Sequence, residues 1–203
     1  MVIVGISGAK RSGKNTFSSL IAEELDNYSI KVQEGSWARF VKESAYESLG
    51  IAEEEDYKFY EVWANTFKEA HKLQIINADG KVVHTISGRE FLQRYGTEAH
   101  RELFGENFWI DAFWQNNSFQ NADVLIITDC RFDNEAESVK SKGGIVVKIQ
   151  NNKAEANNDN HDSERGISEE LIDFVVENNG SVEELKSIAS VFAERIVFKL
   201  KNG

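Results

Sequence analysis

Val2-Ile-Val-Gly-Ile6-Ser-Gly8-Ala-Lys-Arg-Ser-Gly13-Lys14-Asn15-Thr16 is the stretch that decides the fold. Its apolar start shows no polar alternation and reads as a strand buried on both faces. G-x-x-x-x-G-K follows at once, and then Phe17, Leu20, Ile21 and Leu25 recur at helical spacing. A strand, a glycine-rich turn and a helix form the setting in which this pattern binds phosphate. Glycines let successive backbone N–H groups turn inward around an anion. The helix N-terminus adds a partial positive charge, and Lys14 then reaches for the outer phosphates of a nucleoside triphosphate. Arg11, Ser12, Gly13, Lys14, Asn15 and Thr16 are therefore the expected ATP-binding residues. Lys10 and Arg11 add charge to the loop, with a solvated surface role as their alternative. Asn15 stands where Ser or Thr is usual, and the hydroxyl comes one place later, at Thr16.

Outward from this motif, strands and helices alternate. Residues 30–34 read as a short strand, and 38–49 as a helix with Val41, Ala45 and Leu49 on one face. Residues 53–80 read as helical, ending at a turn around Asp79-Gly80. Residues 88–104 are amphipathic. Residues 123–129 are nearly all apolar, as a central parallel strand requires. A helix over 133–142 stops at Gly143-Gly144, a good C-terminal cap. Strands follow at 145–149 and 171–176, separated by the polar segment 150–166, which reads as a mobile lid. The last helix starts near Ser181, with Glu184 three residues on as a capping box. Its expected core face is Leu185, Ile188, Ala189, Phe192 and Ile196. This alternation predicts an α/β fold with a parallel sheet and helices on both faces. One domain over 1–203 is expected, with a substrate-binding helical region at about 38–115 and a lid at about 150–166.

In open α/β sheets ligands sit at the carboxyl ends of strands. Asp129 ends the apolar strand there and is a candidate magnesium ligand with Thr16; its alternative role is to cap the following helix. Arg131 suits bidentate phosphate recognition, or else an ion pair with Asp133 or Glu135. Cys130 between them reads as a packed small residue. Arg89, Arg94 and Arg101 cannot share one helical face, so Arg89 plus one other is expected to reach a substrate phosphate. Gln93 and Thr97, four apart, are placed to read a base edge or sugar. His161, Ser163 and Glu164 lack metal-ligand spacing, and His71, His84 and His100 read as structural or surface residues.

Composition narrows the function. The 203 residues carry a formal charge of −11, which argues against stable nucleic-acid binding but not against a phosphorylated small ligand. A single cysteine excludes an intrachain disulfide and fits a reducing, cytoplasmic setting. No apolar run approaches the roughly 20 residues that span a bilayer, and the start does not read as a signal peptide.

The chain resembles the bacteriophage deoxynucleoside monophosphate kinases. The residues that carry the resemblance are the loop 8–16, Arg89-Glu-Phe-Leu-Gln93 leading to Gly96-Thr97-Glu98, and Phe108-Trp109-Ile110. Thr128-Asp129-Cys-Arg131-Phe-Asp-Asn-Glu135-Ala-Glu137, Gly143-Gly144, His161-Asp-Ser-Glu164 and Asn178-Asn-Gly-Ser-Val-Glu-Glu-Leu185 extend it. Residues 50–85 match poorly. The resemblance implies the three-layer P-loop fold of nucleoside monophosphate kinases with a small lid. It also implies transfer of the γ-phosphoryl group of ATP, with Mg2+, to a deoxynucleoside monophosphate by an enzyme that is often a homodimer. Lys42, in Phe40-Val41-Lys42-Glu-Ser, looks like the family's substrate-side lysine. The family usually has Asp where this chain has Asn15.

The expected catalytic residues are Lys14, Arg11, Arg131 and Asp129, with Arg165 as a lid arginine. The expected substrate-binding residues are Lys10, Val41, Lys42, Arg89, Gln93, Gly96, Thr97, Trp109 and Arg131. Two other readings stay open at this point. One is a small P-loop kinase acting on dephospho-coenzyme A or a ribonucleotide. The other is a nucleotide-binding switch without kinase activity.

Overall fold

A computed structural model describes residues 1–50, 72–115, 119, 121–155 and 166–202. They divide into two compact units. The first comprises Met1–Trp37 and Trp114–Gly203, the second Ala38–Phe113.

The first unit is built on five parallel strands in the order β2-β5-β1-β6-β7. These are β1 (Val2–Ser7), β2 (Val32–Gly35), β5 (Val124–Cys130), β6 (Ile145–Gln150) and β7 (Phe174–Glu177). β1 pairs with β5 on one side and β6 on the other, and every residue of β1 is buried. Successive side chains on a strand point to opposite faces. Val2, Val4 and Ile6 therefore join Ile126, Val147 and Ile149 on one face. Two helices cover it: α1 (Lys14–Asp26), through Phe17, Ile21 and Leu25, and the C-terminal α6 (Val182–Asn202), through Leu185, Ala189, Phe192 and Ile196. The opposite face receives α5 (Asp133–Ser141). There a Cβ on Gly5 would come within 2.9 Å of Cys130 Sγ and 3.2 Å of Val139, so glycine permits the close helix approach.

Adjacent strands β1 and β5 thus send their following helices to opposite faces, which opens a crevice at their carboxyl ends. The fold expected from the alternation is the one observed. Ile188 departs from its expected place: it is 37% exposed, and Ala193 and Val197 complete the buried stripe instead. The last strand begins three residues later than expected, because Glu169–Leu171 form a 3-10 turn first.

The second unit holds α2 (Trp37–Ser48) from its second residue onward, an antiparallel hairpin of β3 (Lys72–Ile76) and β4 (Val82–Ser87), and α3 (Gly88–Gly96). It ends in α4 (Phe108–Gln115), whose last two residues lie in the first unit. The hairpin corrects the helical reading of 53–80 over residues 72–80; residues 53–71 lie outside the described residues. Ile75, Ile76, Val82 and Val83 are β-branched and favour strands. Asn77 makes the turn: its Oδ1 accepts from the N–H groups of Asp79 and Lys81, each at 3.0 Å, and Gly80 takes φ +76°. The stretch 88–104 is helical, but a π-helical turn over Thr97–Arg101 interrupts it.

Phe17 is fully buried, with its ring centroid 5.9 Å from that of Phe192. Phe17→Ala is expected to cost about 3–5 kcal/mol, read as a lower urea midpoint with an unchanged slope.

Candidate active site

The turn after β1 is shaped by three residues in the left-handed half of backbone space: Gly8 (φ +143°), Arg11 (φ +66°) and Gly13 (φ +102°). Side chains at both glycines are excluded by more than dihedral strain. A Cβ on Gly8 would overlap the Ile149 carbonyl oxygen, and one on Gly13 would overlap Nδ2 of Asn178. The Ser12 N–H donates to Ala9 O at 3.1 Å and closes the loop on itself. Lys14 folds its ammonium back over the loop, donating to Gly8 O at 2.7 Å and Ala9 O at 2.8 Å. The first turn of α1 contains no acidic residue, which leaves its positive end uncompensated by side chains. Lys10, Arg11, Asn15 and Thr16 are exposed. Ser12 is fully buried and its hydroxyl has no partner among the described residues, so its backbone is what it offers a ligand.

β5 runs beside β1 and delivers Asp129 and Arg131 to the same end of the sheet. The Asp129 carboxylate accepts from Ser36 Oγ at 2.7 Å and from the Trp37 N–H at 3.0 Å. It therefore caps α2 rather than the helix that follows it in sequence. Thr16 is exposed in the first turn of α1, and hydroxyl and carboxylate oxygens such as those of Thr16 and Asp129 are donors of the hard kind that magnesium takes. Among the described residues no group of three His, Cys, Asp or Glu forms a metal cluster.

Arg131 is exposed, and its side chain pairs with neither Asp133 nor Glu135. Asp133 accepts instead from Ser168 N at 2.7 Å and Oγ at 2.6 Å, and these bonds hold its carboxyl below the usual range. The buried Glu135 accepts from the backbone N–H groups of Arg131 (2.7 Å) and Phe132 (3.2 Å). Burial pushes the Cys130 thiol well up, and the Glu135 and Asp129 carboxylates add to it.

The second unit gathers the other candidates. α2 and α3 meet where Gly96 lacks a side chain: a Cβ there would stand 3.0 Å from Val41. Ser44 Oγ and Tyr95 OH, 2.8 Å apart, pin the same crossing. Val41 is thus a packing residue of this crossing, and Lys42 follows it on α2, half-buried. Arg89, Gln93 and Thr97 are exposed, and the Thr97 N–H donates to Gln93 O, keeping the last two one turn apart. Arg94 is drawn away into a 2.9 Å pair with Glu90. Trp109 is 3% exposed and gives its Nε1–H to Gly96 O at 2.9 Å. It supports the Gly96–Thr97 backbone and offers little surface to a ligand. His100 Nδ1 lies 2.6 Å from Tyr95 O, its ring within 4.8 Å of those of Tyr95 and Trp109. His84 lies on the surface, 3.9 Å from Glu90.

The structure thus brings Lys10 through Thr16, Asp129 and Arg131 to one unit, and Val41, Lys42, Arg89, Gln93, Gly96, Thr97 and Trp109 to the other. His71, His161, Ser163, Glu164, Arg165 and most of the expected lid lie outside the described residues. Two residues at the site were missed. Ser36 gave no signal of its own. Asn178 did, as part of an Asn-Asn-Gly run closing a strand: its Nδ2 donates to Ser12 O at 2.8 Å.

The sequence model of the deoxynucleotide monophosphate kinase family matches residues 30–188, well over half of the chain. A protein of Acanthamoeba polyphaga mimivirus is 28% identical over 193 residues, which cover 92% of this chain and 93% of that one. The deoxynucleotide monophosphate kinase of Enterobacteria phage T4 is 25% identical, with 92% and 96% covered. A solved dephospho-CoA kinase from Campylobacter jejuni aligns over 96% of each chain at 15% identity, with a TM-score of 0.44. Among the described residues no helix is long and apolar enough to cross a membrane.

Cys130 is expected to resist alkylation at pH 8 in the folded protein and to react fully in denaturant. Mass spectrometry of iodoacetamide-treated samples reads both states.

Proposed function

The chain belongs to the deoxynucleotide monophosphate kinase family, and on that premise we propose that it transfers the γ-phosphoryl group of ATP to a deoxynucleoside 5′-monophosphate. The observation that carries the reading is the turn after β1. It combines three left-handed residues, an ammonium held over two loop carbonyls and an open helix N-terminus at the end of a fully buried strand. Such a turn recognises a chain of phosphates.

Phosphoryl transfer asks a protein mainly for positioning and charge neutralisation. The bond from the γ-phosphorus to the β,γ-bridging oxygen breaks, a bond to an acceptor phosphate oxygen forms, and ADP leaves with the electron pair. The acceptor oxygen is already ionised at neutral pH, so no general base is needed. Loop amides and Lys14 hold the donor phosphates, and Lys14 leaves its two carbonyls to reach them. Magnesium, when bound, offsets phosphate charge, and Thr16 and Asp129 are the residues that would hold it. Arg11 is assigned to the charge of the moving group. Lys42, Arg89 and Arg131 are assigned to the acceptor phosphate, and Lys10 to substrate binding. Gln93 and Thr97 are assigned to the acceptor's base or sugar. The substrates are small soluble nucleotides, so the cytoplasm is the assigned compartment.

Lys14→Ala is expected to lower kcat/KM by about 10²–10³-fold, the loss of one well-placed charged donor, with an unchanged circular dichroism spectrum. Near-normal turnover would remove the scheme. Arg89→Ala is expected to raise KM for the monophosphate about tenfold or more while leaving KM for ATP in place. An effect on ATP alone would move Arg89 out of the acceptor site.

A further inference from the structure

Asn178 stands just beyond β7, three strands from β5 with its Asp129, and no step above uses it. Its surroundings are unusually fixed. The Asn178 N–H donates to Gln150 O at 2.8 Å, and its own carbonyl accepts from Asn151 Nδ2. Asn151 Oδ1 in turn caps the helical turn Asn152–Glu155, accepting from the N–H groups of Lys153 (3.1 Å) and Ala154 (3.0 Å). The Asn152 N–H donates to Asn179 Oδ1 at 2.9 Å. Two asparagine side chains, those of Asn151 and Asn179, thus lace the loop after β6 to the loop after β7. From this frame the Asn178 carboxamide reaches across and donates to Ser12 O at 2.8 Å, filling the space where a side chain on Gly13 would lie.

The peptide bond between Ser12 and Gly13 is trans. In a planar trans peptide the C=O and N–H point in opposite directions. Holding the Ser12 carbonyl toward Asn178 therefore directs the Gly13 N–H away from it. That N–H has no partner among the described residues, so it is on offer to a ligand. Gly13, at φ +102° and ψ 16°, could otherwise turn this peptide over at little cost. A turned peptide would present a carbonyl oxygen to the triphosphate.

We propose that Asn178 is a positioning residue for the triphosphate: it clamps the Ser12 carbonyl so that the Gly13 N–H faces the anion. The proposal rests on the reading of the loop as a triphosphate site. It differs from a role in which Asn178 touches the nucleotide base, because a clamp on the loop serves any triphosphate, with or without a base.

The test compares magnesium tripolyphosphate, which has no base, with MgATP, by calorimetric titration of the full chain and its variants. Asn178→Asp keeps the shape, removes the donor and places a carboxylate against the Ser12 carbonyl; Asn178→Ala removes the donor without adding charge. Both variants are expected to bind tripolyphosphate and ATP about tenfold more weakly, by the same factor. KM for the monophosphate stays in place. Weaker ATP binding with unchanged tripolyphosphate binding would make Asn178 a base contact and overturn the clamp. Unchanged binding of both ligands would overturn it as well. A wild-type protein that binds neither ligand would overturn the triphosphate reading itself, before any variant is made. Hydrogen exchange on the wild type gives a measure that needs no variant to fold. The Asn178 side-chain amide is expected to be protected, and free exchange there would also refute the clamp.

Discussion

A strand buried on both faces and hydrogen-bonded along both edges has no freedom to slide or tilt. β1 is such a strand, between β5 and β6. Its carboxyl end is therefore a fixed point, and the turn that leaves it inherits that fixity. The backbone must reverse within Gly8–Gly13 to enter α1, and packing from Ile149 and Asn178 leaves no room for side chains at the two glycines.

The same end of the sheet explains why Asp129 carries more than one burden. Its carboxylate holds Ser36 and the Trp37 N–H, the last two residues before α2 continues into the second unit. A carboxylate assigned to magnesium is thereby bonded to the root of the helix that bears Lys42. The neighbouring Glu135 does related work for α5 by taking the N–H groups of Arg131 and Phe132. Glu135 and Asp133 accept from backbone or serine donors, and Arg131 is exposed.

Legibility in the sequence followed the strength of local patterning. The runs 2–6 and 123–129 were legible because each is a short, β-branched, mostly apolar stretch bounded by turn or helix-start signals, which favours a doubly covered strand. The glycines at 8 and 13 carry a backbone requirement that shows in sequence. The hairpin at 72–87 was hidden because Leu73, Ile75 and Ile76 admit either period in so short a run, and the Asx turn at Asn77 is a weak cue beside Asp79-Gly80. Ile188 was misplaced by one helical face, since Ala193 and Val197 continue the stripe equally well. Trp109 stood among the expected substrate-binding residues, yet it is buried and its indole N–H is spent on Gly96 O inside the unit. Ser36 gave no cue, and the Asn-Asn-Gly run at Asn178 marked a turn without naming what its side chain meets. Their importance lies in which distant backbone or carboxylate group they meet, and periodicity does not encode that.

The central claim is tested most directly by a coupled ADP-release assay with ATP and magnesium, run across all deoxy- and ribonucleoside monophosphates. Rapid release of ADP with one or more deoxynucleoside monophosphates, well above the rate with ATP alone, is the predicted result. ATP binding without stimulation by any deoxynucleoside monophosphate would contradict the account.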